Sequence, residues 1–174
     1  MDISYDLWVG ESINEVIELI AGFRLQILAQ SGITHALSEE INFLHQYFDD
    51  EAVIIVANDC GKFTGYLSMI GSVDNHPKLD QYSHFGADLA ISEGPIVHPY
   101  YRNLSIEQSL MLEAINECQI RDKQMMIIQS NLPNNEPDQI TDYQIQLDDL
   151  LTTIDFEKVD DHDDYHWVKS IGVA

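Results

Sequence analysis

Residues 94–119 read GPIVHPYYRNLSIEQSLMLEAINECQ. The apolar pair Ile96-Val97 lies between Pro95 and His98-Pro99, and a residue before proline is biased to extended backbone. Tyr100, Tyr101 and Arg102 then turn the chain, and Asn103-Leu104-Ser105 leads into a helix from about Ile106. In that helix Ile106, Leu110, Met111, Ala114, Ile115 and Cys118 recur at helical spacing. Strand, tight turn and helix start in succession present backbone N–H groups to a phosphate. The turn holds no glycine. Instead Ser105-Ile106-Glu107-Gln108 fits the capping pattern Ser-x-x-Gln, which predicts the Ser105 hydroxyl accepting from the Gln108 N–H.

Working outward, residues 88–97 read as a strand broken at Glu93-Gly94-Pro95, because glycine followed by proline interrupts pairing. Before it, residues 52–57 (AVIIVA) form a buried strand, residues 58–61 a hairpin turn and residues 63–70 (FTGYLSMI) the return strand. Residues 71–86 are a long polar loop, a candidate lid. At the start, residues 3–9 predict a strand. Ser12 with Glu15 forms a capping box for a helix in which Ile13, Val16, Ile17, Ile20, Phe23, Ile27 and Leu28 share a face, closing at Ser31-Gly32. Ser38 opens a second helix. After the central helix come a strand at 125–129 (MMIIQ), a polar loop at 131–137 and a helix at 141–153 with Tyr143, Leu147, Leu150 and Leu151 inward. Two strands, 156–159 and 165–168, flank the acidic turn at 160–164. The order β-α-α-β-β-β-α-β-α-β-β predicts one mixed α/β domain over residues 1–174.

Thirty Asp and Glu against eight Lys and Arg give a net charge of −22. Such a field repels nucleic acid and anionic membrane and attracts cations. It therefore fits a cationic partner, or a surface adapted for solubility. Apolar residues make up 45% of the chain, enough for a packed core. The first fifteen residues lack the basic start of a secretory leader, and Cys60 and Cys118 stand in no metal or redox spacing, so reduced thiols in a cytoplasm are expected. The stretch DDHDDYH at 160–166 lacks the spacing, glycine and closing glutamate of a calcium loop, so a solvated turn is expected and no metal site.

The element order, the hairpin AVIIVANDCGKFTGYLSMI, IVHPYYR before the central helix, and LLTTIDFEKV late in the chain together resemble the GNAT superfamily of acyl-CoA N-acyltransferases. The resemblance implies a mixed central sheet of about seven strands flanked by about four helices. It also implies acetyl-CoA as cosubstrate, a primary amine of a small molecule or peptide as acceptor, and a homodimer as one arrangement. The family's Arg/Gln-x-x-Gly-x-Gly/Ala signature falls on Arg102, Asn103, Leu104, Ser105, Ile106 and Glu107, with Gln108 next. Ser105 and Glu107 stand where the family has small residues. Backbone groups of Ile96 and Val97 are expected to pair with the pantetheine, and Asn131 to contact the cofactor. Glu93 is the implied base for the amine proton. The tyrosine that serves as general acid to the leaving thiolate is replaced by Leu151, and Tyr143 is its candidate substitute. Tyr66 is a further candidate for lining the acceptor site, and His98, before Pro99, for a catalytic role. The replaced signature residues and Leu151 also support an alternative, a GNAT-fold binding or regulatory module without catalysis.

Overall fold

The computed structural model describes residues 1–30, 32–74, 76–129, 142–161 and 164–172. The β-branched run at Val53–Asp59 becomes β2, paired antiparallel on one side with β1 (Ile3–Val9) and on the other with β3 (Lys62–Ile70). Cys60 and Gly61 both have positive φ, 50° and 80°, which makes the two-residue turn whose twist suits a hairpin. β4 (Leu89–Ser92) pairs with β3 and, in parallel, with β6 (Met125–Ile128). β8 (Asp164–Ser170) and β7 (Glu157–Asp161) complete the order β1-β2-β3-β4-β6-β8-β7, while β5 (Ile96–Val97) pairs with β3. The predicted fourth strand is thus present as two pieces, β4 and β5, separated at Glu93–Pro95.

Helices cover both faces. α1 (Ile17–Gln30) and α2 (Leu37–Tyr47) pack on the face that carries Ile54, Val56, Tyr66, Ile91 and Ile96. α3 (Ser105–Ile120) and Leu151 of α4 (Asp142–Thr153) pack on the face of Val53, Ile55, Leu67, Ala90, Val97 and Met126. Strand alternation sends successive side chains to opposite layers, so the apolar runs are buried on both sides. The mixed α/β architecture expected from the sequence is the one observed.

Local starts differ from expectation. Ser12 does not cap α1. Its hydroxyl donates to the Val9 carbonyl at 2.6 Å and accepts from the Val9 N–H at 3.1 Å, holding a 3-10 turn at Gly10–Glu15. α1 begins only at Ile17. α2 begins at Leu37 behind Ala36, so Ser38 is already helical. The polar loop carries 3-10 turns over Pro77–Asp88. No described helix is long and apolar enough to cross a membrane.

Candidate active site

The break between β4 and β5 organises the site. β5 is held to β3 by the His98 N–H donating to the Thr64 carbonyl at 2.9 Å. Hydrogen-bonded and non-bonded pairs alternate in an antiparallel ladder. With Val97 opposite Gly65 and Ile96 opposite Tyr66, the Ile96 backbone faces β3 and the Val97 backbone faces away. The close approach needs Gly65, where an added Cβ would lie 2.9 Å from the Ile96 carbonyl oxygen. Ile96 is therefore spent in the ladder and is not open to a pantetheine, contrary to expectation. Val97 presents its N–H and C=O to the open edge, where no described strand pairs. Its carbonyl already accepts from Arg102 Nε at 3.0 Å.

On the α1/α2 side of the break, Glu93 is 6% exposed. Arg24, in α1, donates Nη1 to Glu93 Oε2 at 2.5 Å and to the Tyr66 hydroxyl at 3.1 Å, and its Nε to Glu40 of α2. Burial opposes the Arg24 charge, but Tyr66, Glu93 and Glu40 outweigh it and hold the guanidinium charged. Burial pushes the Tyr66 hydroxyl above its usual range, the charge of Glu93 acting with it and Arg24 against. Among the described residues one oxygen, Glu93 Oε1, is buried without a partner, as are the Tyr47 hydroxyl and His76 Nε2. Above this cluster lies a cavity of about 550 Å³ lined by residues that include Arg24, Leu28, Ile33, Glu40, Phe43, Tyr47 and His76. Burial holds His76 below the usual histidine range, a hydrogen bond with Gln129 and the charge of Glu93 acting the other way. Its imidazole is therefore neutral at pH 7.

On the opposite layer the chain enters α3 through Leu104, which takes φ 67° and is the residue before the helix. Ser105 is already inside the helix and exposed. The expected Ser105–Gln108 capping box is absent. The Ser105 N–H donates to Asn103 Oδ1 at 3.0 Å, and the Gln108 N–H donates to the Leu104 carbonyl at 2.9 Å. Asn103 supplies the local acceptor and Leu104 supplies the turn that a glycine would ordinarily make. The amides of Ile106 and Glu107 precede the first intrahelical bond and find no acceptor among the described residues. They are the donors on offer to an anion.

Glu107 turns inward and is fully buried. Its Oε1 accepts from the Tyr143 hydroxyl of α4 at 2.9 Å, while Oε2 has no partner among the described residues. Arg102 lies over the Tyr143 ring, 4.3 Å from its centroid. Burial, then the charge of Glu107 and the bond to it, push the Tyr143 phenol above its usual range. The Tyr143 proton is thus committed to Glu107. The open amides of Ile106 and Glu107 are the groups that could hold a pyrophosphate here, and Arg102, over Tyr143, is the cation of the same turn. The Glu107 carboxylate limits that binding, because it ties the first turns of α3 and α4 together.

The remaining candidates separate. His98 Nδ1 accepts from the Tyr100 N–H at 3.2 Å, and His98 lines a second cavity of about 560 Å³ with Phe23, Lys62 and Phe63. Leu151 is buried in the core under α3. Asn131 lies outside the described residues, as do His162 and Asp163 of the acidic turn. Cys60 is exposed and Cys118 buried, and both are free thiols. Sequence reasoning missed Arg24, Glu40, Tyr47 and His76. Arg24 did carry a signal: it is a charged residue on the buried stripe of Ile17, Ile20, Ala21, Phe23, Ile27 and Leu28. A cation at a core position requires anionic partners from elsewhere.

The mixed sheet with helices on both faces has a GNAT-like fold, as the solved structures that align with it show. Solved structures share this fold over nearly the whole chain. An acetyltransferase of the GNAT family from Staphylococcus aureus aligns with a TM-score of 0.64 at 14% identity, covering 98% of this chain and 100% of the other. The putative acetyltransferase yncA of Salmonella typhimurium, solved with acetyl-CoA, aligns at 0.64 and 11% identity over 100% and 96% of the two chains. PaiA N-acetyltransferase of Thermoplasma acidophilum, in complex with coenzyme A, gives 0.60 at 13% over 98% and 99%. At such identities the likeness establishes the fold. No family model and no curated protein matches the sequence.

Proposed function

We propose that the protein is an N-acyltransferase that moves an acyl group, acetyl in the first instance, from acyl-CoA directly to a primary amine of a small molecule or peptide. The observation that carries this reading is the single break at Glu93–Pro95. It sends a buried carboxylate toward the α1/α2 cavity and, four residues on, leaves the Val97 backbone facing an open edge near the start of α3. Two reactants can therefore approach one point from opposite layers. The bound thioester supplies an activated acyl carbon. The residues of this chain provide position, charge and a proton acceptor. Glu93 Oε1, the partnerless oxygen, takes the proton from the amine, while Arg24 fixes the other oxygen. Ile106 and Glu107 amides, with the positive end of the α3 dipole and Arg102, hold the pyrophosphate. Tyr143 is the proposed donor at the departing sulfur only if it leaves Glu107.

Glu107 supports a second reading, a GNAT-fold module that binds a ligand without transferring an acyl group. A carboxylate about 4 Å from a pyrophosphate charge costs on the order of 4 kcal/mol at an effective dielectric of 20. Calorimetry with acetyl-CoA, followed by thiol release across a panel of amines, separates the two. The transferase reading expects binding and amine-dependent thiol release, with kcat/KM in Glu93→Gln reduced about 100-fold. Absence of heat and of thermal shift at millimolar acetyl-CoA would sink it and leave the module.

A further inference from the structure

We propose that the cavity between α1 and α2 takes a primary amine carried on an aromatic or branched apolar body, with its ammonium seated among Glu93, His76 and Tyr47. This deepens the reading of that cavity as the acceptor site and rests on it. Three polar atoms at or beneath the cavity wall are buried without partners among the described residues: His76 Nε2 and the Tyr47 hydroxyl in the lining, and Glu93 Oε1 behind Arg24. Their residues are 6%, 5% and 6% exposed. Native interiors rarely leave buried polar atoms unpaired, and a small group of them beside a cavity points to a missing partner. Tyr47 and His76 line the cavity, their rings edge-to-face with centroids 5.7 Å apart. Glu93 stands behind the cavity floor, on Arg24, and its charge is felt by both rings.

The chemistry of the three atoms selects the ligand head. A carboxylate oxygen, a phenol oxygen and, in the tautomer with its proton on Nδ1, the His76 Nε2 all accept, and an ammonium brings three donors and no acceptor. An anionic head meets the wrong surroundings. Arg24 is committed to Glu40, Glu93 and Tyr66, so the one cation and two carboxylates at the floor sum to a single negative charge. The rest of the cavity selects the body. Leu28 and Ile33 are among the lining residues, and the Phe43 ring stacks on Tyr47 at 5.6 Å and 23°. A further carboxylate of the lining, Glu39, is exposed, and its Oε2 accepts from the Ala36 N–H at 3.3 Å and faces His35 at 3.7 Å. A volume of about 550 Å³ suits a ring or short branched chain with room to turn.

The test uses the full chain without coenzyme A. Calorimetry compares 2-phenylethylamine with 3-phenylpropionate (same body, anionic head), ethylamine (same head, no body) and spermidine (two or more cationic heads). The expected result is 2-phenylethylamine binding at least tenfold tighter than each of the others. Glu93→Gln lowers that affinity at least tenfold. Because Glu93→Gln disturbs the Arg24 pair and can fail to fold, Tyr47→Phe is the deciding variant. It keeps the ring and removes only the partnerless hydroxyl, and it lowers affinity about fivefold while the unfolding temperature holds. Equal or tighter binding of 3-phenylpropionate or spermidine overturns the proposal, as does unchanged affinity in folded Tyr47→Phe. Since no acyl-CoA is present, failure of acetyl-CoA to bind leaves this result standing. Amine binding without thiol release overturns acyl transfer and keeps the pocket.

Discussion

Arg24 shows how much of this molecule hangs on one side chain. Its guanidinium is 3% exposed and is shared by carboxylates from α2 and from the break after β4. Removing one member of a buried ionic group leaves uncompensated charge, which costs about 3–5 kcal/mol. Arg24→Met is expected to destabilise the fold by about that amount in urea unfolding. Adding Glu40→Gln and Glu93→Gln to it should recover part of the loss, because no unpaired charge then remains. An Arg24→Met chain as stable as the parent would mean that the carboxylates are solvated. The break at Glu93-Gly94-Pro95 was legible in the sequence because glycine followed by proline interrupts pairing. The partner of Glu93 was not legible, because periodicity places Arg24 on a buried stripe without saying which of thirty acids faces it. That pairing depends on two helices and a strand break meeting in space.

At the scale of the element, the start of α3 is the instructive case. Its position could be read from apolar spacing to within a residue, and its cap could not. Ser-x-x-Gln is a common way to close a helix start, yet here Asn103 takes the Ser105 amide and Leu104 adopts φ 67°. A left-handed leucine costs roughly 1–2 kcal/mol, a cost that propensity rules weigh against and that tertiary packing overrides. The inward turn of Glu107 follows from the same geometry, since with Ser105 as the first helical residue Glu107 points at α4 rather than at solvent. Its carboxylate, bonded to Tyr143 with one oxygen unpartnered, is the feature most opposed to a pyrophosphate. Glu107→Ala restores the small residue that the GNAT signature carries there. Acetyl-CoA affinity, measured by calorimetry, is expected to rise at least tenfold, or about 1.4 kcal/mol. Unchanged or weaker binding would show that Glu107 faces away from the ligand path.

For the whole molecule, the order of strands and helices along the chain was readable from helical spacing and short apolar runs bounded by turn residues, while the order of strands within the sheet was not. The titration behaviour was not, since it depends on which polar groups the layers enclose. Tyr47, Tyr66 and Tyr143 are each raised above the ordinary tyrosine value of 10.0 by burial first, and burial raises Cys118 from 9.0 to about 12. These four groups stay protonated in the fold while the unfolded chain releases their protons from about pH 9 upward. The unfolded state then binds fewer protons than the native state, so stability falls as pH rises through that range. The loss is complete only where the native groups themselves ionise. The net charge of −22 works in the same direction, because each further ionisation adds to self-repulsion. Urea midpoints measured from pH 8 to pH 10.5 should therefore fall steadily, at fixed ionic strength. Tyr143→Phe removes one of these proton-linked groups, so its decline over the same range should be shallower than the parent's. A parent midpoint that holds constant to pH 10.5 would place these hydroxyls in contact with water, and the buried polar floor under the α1/α2 cavity would have to be redrawn with them.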